Sequence, residues 1–178
     1  DMYVKSGFFL EAKKLFGELP HRTIIAWNAL ISGYLEHGYF EEVFGYLKQI
    51  PKEGISPDIV SLTCVLKSCI SMGNILKGHE VHTDIAKMGF DGELLIGNTL
   101  VDMYFKCGSL VKAQEVFHEI PVQDVISWTT LVSGYADQQL GEEVSSLLDR
   151  MYTEGICPNI FTYASALKAC SSSGAMEK

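Results

Sequence analysis

The stretch IIAWNALISGYLEHGYFEEVFGYLKQIPKEGISPD, residues 24–58, returns as VISWTTLVSGYADQQLGEEVSSLLDRMYTEGICPN at residues 125–159. Trp27 recurs as Trp128, Gly33 as Gly134, Tyr34 as Tyr135, Gly54 as Gly155 and Pro57 as Pro158, each displaced by 101 positions. The register runs past the copied stretch on both sides: Asp1-Met2-Tyr3 returns as Asp102-Met103-Tyr104, Phe16 as Phe117, Pro20 as Pro121 and Cys69 as Cys170. Self-similarity at a fixed long period marks an array of units, each burying its apolar face on its neighbours.

Periodicity inside a unit gives its local structure. Between Ile25 and about Glu36, Trp27, Leu30, Ile31, Tyr34 and Leu35 fall at helical spacing, and Gly38 interrupts. Val43, Phe44, Leu47 and Ile50 repeat the spacing before Gly54 and Pro57 close the unit. The unit is expected to be two antiparallel helices. Residues 59–93 carry a second pair, residues 94–124 a shorter one, residues 125–159 the second copy, and residues 160–178 open one more hairpin. Residues 1–23 read as the tail of a unit, with Leu10, Leu15, Phe16 and Leu19 on an apolar face and Pro20 as its stop. The fold class is all-α, with no stretch left for a separate domain.

Composition bounds the function. Apolar residues make up 47% of the 178 residues, enough for such a stack, and no run approaches the ~18 that a membrane span needs. A soluble chain is expected, and no secretory apolar segment opens the sequence. Asp1 corresponds to Asp102 in mid-hairpin, so the sequence is expected to begin inside a unit, with any targeting peptide outside it. Five cysteines, an odd number without C-x-x-C spacing, read as reduced, mostly packed thiols of an intracellular protein. The net charge of −8 gives no global attraction for phosphate.

Three unit types of 35, 35 and 31 residues follow in cyclic order, reading IIAWNALISGY, LKSCISMGNILKGHEVH and IGNTLVDMYFKCGSLVKAQEVFHEIP. This triplet resembles the P, L and S motifs of plant pentatricopeptide repeat proteins of the PLS subclass, over essentially the whole chain. The resemblance implies a right-handed α-solenoid of helix-turn-helix repeats. Residues 1–23 would be a partial S repeat, 24–58 a P repeat, 59–93 an L repeat, 94–124 an S repeat, 125–159 a P repeat and 160–178 a partial L repeat. First helices would line a concave groove holding single-stranded RNA, one base per repeat.

In this family the base is chosen mainly by the fifth and last residues of a repeat, and is held between the second residues of that repeat and the next. Carried over, the resemblance pairs Asn28 with Asp58, Asn98 with Asp124, and Thr129 with Asn159. It pairs Thr63 with Glu93 in the L repeat, a combination outside the well-behaved pairs, to which no base is assigned. Ala164 takes the fifth place of the last repeat without a partner inside the sequence. Asn with Asp implies uracil, with cytosine tolerated; Thr with Asn implies adenine. The implied element is 5′-pyrimidine, any base, pyrimidine, adenine-3′, and the base-sandwiching residues are Ile25, Val60, Leu95, Ile126 and Phe161. A side chain that both donates and accepts, steered by a neighbouring carboxylate or amide, suits such reading.

Each signal also has a plainer reading. Asn28 and Asn98 lie near helix starts, where Asn often caps backbone N–H groups. Ile25 and its equivalents could pack helix against helix. Trp27 and Trp128 sit in an apolar stripe, which favours interior packing over base stacking. Cys64, Cys69, His79 and His82 are zinc-type residues at poor spacing, so no metal or other cofactor is expected. No H-x-E followed by P-C-x-x-C is present, nor a phosphate loop or nucleophile set, so the chain is expected to be a non-enzyme. Lys5 matches Lys106 and Lys67 matches Lys168 in the repeat frame, which reads either as a basic track or as ordinary solvated lysines.

The function these features imply is sequence-specific single-stranded RNA binding, within an organellar factor that positions a cytidine for C-to-U editing. A deaminase domain or editing cofactor proteins would supply the chemistry, in a mitochondrion or chloroplast. The alternative is a helical-repeat scaffold that binds protein, for which the acidic charge speaks.

Overall fold

The computed structural model describes residues 9–174, with the side chains of residues 11–171, so the expectations for Asp1, Met2, Tyr3 and Lys5, and for the Leu10 side chain, lie outside the described residues. The chain forms two compact units, Asp1–Phe90 and Asp91–Lys178. All regular structure among the described residues is helical.

In the first unit, α1 (Phe9–Glu18) is followed by the hairpin α2 (Ile24–Glu36) and α3 (Phe40–Gln49), which ends in a 3-10 turn at Ile50–Glu53. A second hairpin, α4 (Ile59–Met72) and α5 (Ile75–Lys87), completes it. Helix α2 packs on α1, α3 and α4, and α4 also packs on α3 and α5. In the second unit the hairpins are α6 (Leu94–Lys106) with α7 (Leu110–Glu119), and α8 (Val125–Asp137) with α9 (Gly141–Thr153), followed by α10 (Ile160–Gly174). There α6 packs on α7 and α8, and α10 packs on both α8 and α9.

The first helices α2, α4, α6, α8 and α10 begin at Ile24, Ile59, Leu94, Val125 and Ile160, the first residues of the units read from the sequence. Each copied hairpin ends on a left-handed glycine: Gly54 and Gly155 both have φ 74°, a conformation that disfavours any residue with a Cβ. The copied stripe is core. Trp27 and Trp128 are each 1% exposed, with Phe16 edge-on to Trp27 at 4.6 Å and its counterpart Phe117 edge-on to Trp128 at 5.1 Å. Both tryptophans are therefore packing residues. Each second helix of the copied hairpin opens with acidic residues, Glu41 and Glu42 in α3 and Glu142 and Glu143 in α9. Carboxylates there complement the positive end of the helix dipole, so some acidic charge serves these helix starts.

Helix-to-helix approach in the second unit is set by a glycine. A Cβ on Gly134 of α8 would lie 2.3 Å from the Phe105 ring of α6, closer than any side chain can come.

Candidate functional site

The ends of the repeats organise the site. Thr23, Asp58, Glu93 and Asp124 are the N-caps of α2, α4, α6 and α8. Asp58 takes an extended backbone, and its Oδ1 accepts the Ser61 N–H at 3.0 Å while the Asp58 N–H donates to Ser61 Oγ at 2.9 Å. Asp124 and Ser127 form the same reciprocal box, with Ser127 N–H to Oδ1 at 2.9 Å. Asn159 and Thr162 repeat it before α10, with Thr162 N–H to Asn159 Oδ1 at 2.9 Å and Asn159 N–H to Thr162 Oγ1 at 3.1 Å. The cap thus fixes the last side chain of each of these repeats at the mouth of the next first helix. Ser61, Ser127 and Thr162 escaped the sequence reading, although D-x-x-S, D-x-x-S and N-x-x-T at repeat junctions carry capping-box spacing.

Asn28 is the fifth residue of α2, one turn inside a helix that Thr23 caps, so it caps nothing. Its Nδ2 donates to both carboxylate oxygens of Asp58, at 3.0 and 2.8 Å. A carboxylate only accepts, so the amide is fixed with its amino group toward Asp58. Its Oδ1 is buried and has no hydrogen-bond partner. A buried acceptor left in that state costs about 1–3 kcal/mol.

Asn98, the fifth residue of α6, is 7% exposed, and its Oδ1 is likewise buried and unpartnered. No hydrogen bond among the described residues joins it to Asp124, whose Oδ1 is taken by the N–H groups of Ile126 and Ser127. Thr129, the fifth residue of α8, donates to Val125 O at 2.6 Å and lies 2.7 Å from the Thr162 hydroxyl. Thr162 in turn contacts Asn159 Oδ1 at 3.0 Å, so this pair is joined through a third residue. Thr63 is half-buried on α4 and donates to Ile59 O at 2.6 Å. Glu93 is exposed and makes no side-chain cap bond, and Ala164 is exposed on α10.

The five sandwich candidates are all solvent-exposed: Ile25 76%, Val60 49%, Leu95 55%, Ile126 57% and Phe161 70%. Each stands second in its helix, one turn from the fifth residue. Helix-to-helix packing therefore does not account for them. Each puts an exposed apolar side chain one helical turn before the fifth residue.

Charge near these helices is partly neutralised. In the second unit Asp137 at the end of α8 pairs with Lys106 of α6 and, at 2.7 Å, with Lys168 of α10. The hydrogen bonds from Lys106 and Lys168 hold the Asp137 carboxyl below the usual carboxylate range, and burial pushes Asp102 above it. The matched lysines Lys106 and Lys168 are thus partners of one carboxylate, while Lys67 is exposed. Among the described residues no group of His, Cys, Asp and Glu is placed to hold a metal ion, and no helix is long and apolar enough to cross a membrane.

Comparison with known proteins gives the family. The PPR repeat family model matches residues 22–71 and 123–172, more than half of the chain and once per copy, and the PPR repeat model matches residues 1–24 and 98–125. The chain belongs to the pentatricopeptide repeat family. A mitochondrial pentatricopeptide repeat-containing protein of Arabidopsis thaliana is 37% identical over 99% of this chain and 28% of its own length. A chloroplastic one from the same plant is 34% identical over 97% of this chain and 28% of its own length. This pentatricopeptide repeat chain therefore spans about a quarter of the length of the curated relatives it matches. The crystal structure of PPR10 in complex with an 18-nt psaJ RNA element superposes with a TM-score of 0.78 at 23% identity, over 96% of this chain and 26% of that one. A crystal structure of PPR10 from maize gives 0.77 over 98% of this chain and 26% of that one, at 23% identity. The likeness establishes the helical-repeat fold.

Proposed function

We propose that this chain is a single-stranded RNA-binding segment of an organellar RNA-processing factor, reading one base per repeat. The observation that carries the reading is the pair of exposed apolar side chains and unsatisfied polar edges: Ile25 beside Asn28, and Leu95 beside Asn98, each Asn with a buried Oδ1 that lacks a donor. Each carboxamide oxygen complements the N3–H of uracil. The superposed PPR10, a protein crystallised with RNA, supports the ligand class. Mitochondrial and chloroplastic relatives support an organellar setting.

The proposed element is 5′-pyrimidine, any base, pyrimidine, adenine-3′, read by Asn28 with Asp58, Asn98 with Asp124, and Thr129 with Asn159. The clamps are Ile25, Val60, Leu95, Ile126 and Phe161, while no base is assigned to Thr63 with Glu93 or to Ala164. Such an element recurs about once in 16 positions of random sequence at one base per repeat. Specificity for one transcript then belongs to the longer protein. The alternation of P, L and S repeats points to C-to-U editing as the process served, with a deaminase acting as partner or as a further domain. On this reading the repeats supply the address and perform no chemistry.

The test is to exchange the reading pair of the first copy for that of the second, Asn28→Thr with Asp58→Asn, and measure binding to RNA variants. The preference at the first base is expected to move from pyrimidine to adenine, by about 1–3 kcal/mol. Failure to bind RNA at low salt, or binding that ignores both RNA sequence and the exchange, would favour the protein-binding scaffold that the −8 charge suggests.

A further inference from the structure

Thr162, the third residue of α10, is 0% exposed, and its hydroxyl meets three polar groups on two sides. It accepts the Asn159 N–H at 3.1 Å, lies 3.0 Å from Asn159 Oδ1 and lies 2.7 Å from the Thr129 hydroxyl. The Thr162 backbone N–H, 2.9 Å from Asn159, can only donate, so the Asn159 atom facing it is the amide oxygen. The Asn159 amino group is therefore turned to the opposite side, where no hydrogen bond among the described residues occupies it.

The protons can be traced. Thr162 gives its hydroxyl proton to Asn159 Oδ1 or to Thr129 Oγ1, and Thr129 gives its own to Val125 O or back to Thr162. In either arrangement Thr162 is the one side chain touching both Thr129 and Asn159. Its counterpart in the first copy, Ser61, bonds to Asp58 alone, because Asn28 reaches Asp58 directly. The same position is a cap in one copy and a relay in the other.

We infer that Thr162 is a specificity-positioning residue, through which Thr129 and Asn159 read one base as a unit. Its backbone N–H turns the Asn159 amino group away as a donor, suited to an acceptor such as adenine N1, and its hydroxyl, which the backbone cannot replace, ties the Thr129 hydroxyl to the same amide. This rests on the RNA reading proposed above.

The experiment measures binding of the wild-type chain, Thr162→Val and Thr162→Ser to four RNAs differing only at the fourth base of the element, and to four differing only at the first. Thermal melting is recorded for each protein. Wild type is expected to prefer adenine at the fourth base by about tenfold. Thr162→Val should bring that preference within about twofold while leaving the pyrimidine preference at the first base, which Asn28 reads, unchanged. Thr162→Ser, which keeps the hydroxyl, should retain the adenine preference. If Thr162→Val keeps its adenine preference, the inference falls and the RNA reading stands. If Thr162→Val and Thr162→Ser lose preference at both bases together, or melt before binding is measured, Thr162 is a structural cap only. If wild type shows no preference at either base, the RNA reading falls and the inference with it.

Discussion

The two copies of one hairpin, residues 24–58 and 125–159, share a core and differ at the polar edge. In the first, Asn28 binds Asp58 directly and leaves its own Oδ1 without a donor. In the second, Thr129 is too short to span that gap, and Thr162 fills it. The first junction leaves a buried amide oxygen without a donor, the second an amide amino group without an acceptor among the described residues. The two copies thus share a scaffold and differ in the polar groups at its edge. That separation is physically reasonable, because core positions are constrained by packing density whereas exposed edges are constrained by whatever they bind.

The shared core is tested first, where the largest effects lie. Trp27→Ala and Trp128→Ala should each destabilise by about 3–5 kcal/mol in denaturant melts, since both rings are fully buried against a phenylalanine. A large cost in one copy and a small one in the other would break the equivalence. Gly134→Ala should cost about 2–3 kcal/mol, because the Phe105 ring has to move to admit a methyl group.

The edge is tested next, with an opposite signature. Phe161→Ala should leave the melting temperature nearly unchanged, its ring being 70% exposed, yet weaken RNA binding by about 1–2 kcal/mol. A loss of stability without a loss of RNA affinity would return the residue to packing.

The turn between the helices differs as well. Gly38 of the first copy has φ 80°, and the matching residue of the second, Gln139, is held at φ 61° despite its Cβ. Gln139→Gly should therefore stabilise the chain by about 0.5–1 kcal/mol, relief of left-handed strain outweighing the entropy that glycine adds to the unfolded state. No gain in a urea melt would show that the Gln139 side chain compensates its strain.

The smallest effect is electrostatic. Asp137 has a lowered pKa in the fold, so its ion pairs with Lys106 and Lys168 add stability above the ordinary aspartate range near pH 4 and lose it as pH falls through the lowered value. Asp102 has a raised pKa, so it acts with the opposite sign: its contribution is present below the ordinary range and is lost as pH rises through the raised value. Carboxyl titration followed by NMR should separate the two, and Asp137→Asn should remove the lower titration and move the Asp102 titration down, because the Asp137 charge helps to raise it.

The repeat frame was legible in the sequence because it rests on spacing. Apolar periodicity and glycine punctuation, which act locally, give a helix between Ile25 and about Glu36, one residue from its observed start at Ile24. The burial of Trp27 and Trp128 follows from the same stripe. The exposure of Ile25, Val60, Leu95, Ile126 and Phe161 does not, since an apolar residue at a helix entry reads the same whether a neighbour covers it or not. Ser61 and Thr162 also went unread as site residues, because a capping box is a local signal that says nothing of what the cap touches across the helix interface.

By itself, the sequence determined the family and the succession of helical hairpins. Tertiary structure alone decided which side chains meet. Asn28 bridges to Asp58 over 30 positions of chain, Thr129 meets Thr162 over 33, and no hydrogen bond joins Asn98 to Asp124. Spacing fixes the turn of a helix on which a side chain lies, but a hydrogen bond between helices depends on their separation to a few tenths of an ångström, and only the packed core sets that distance.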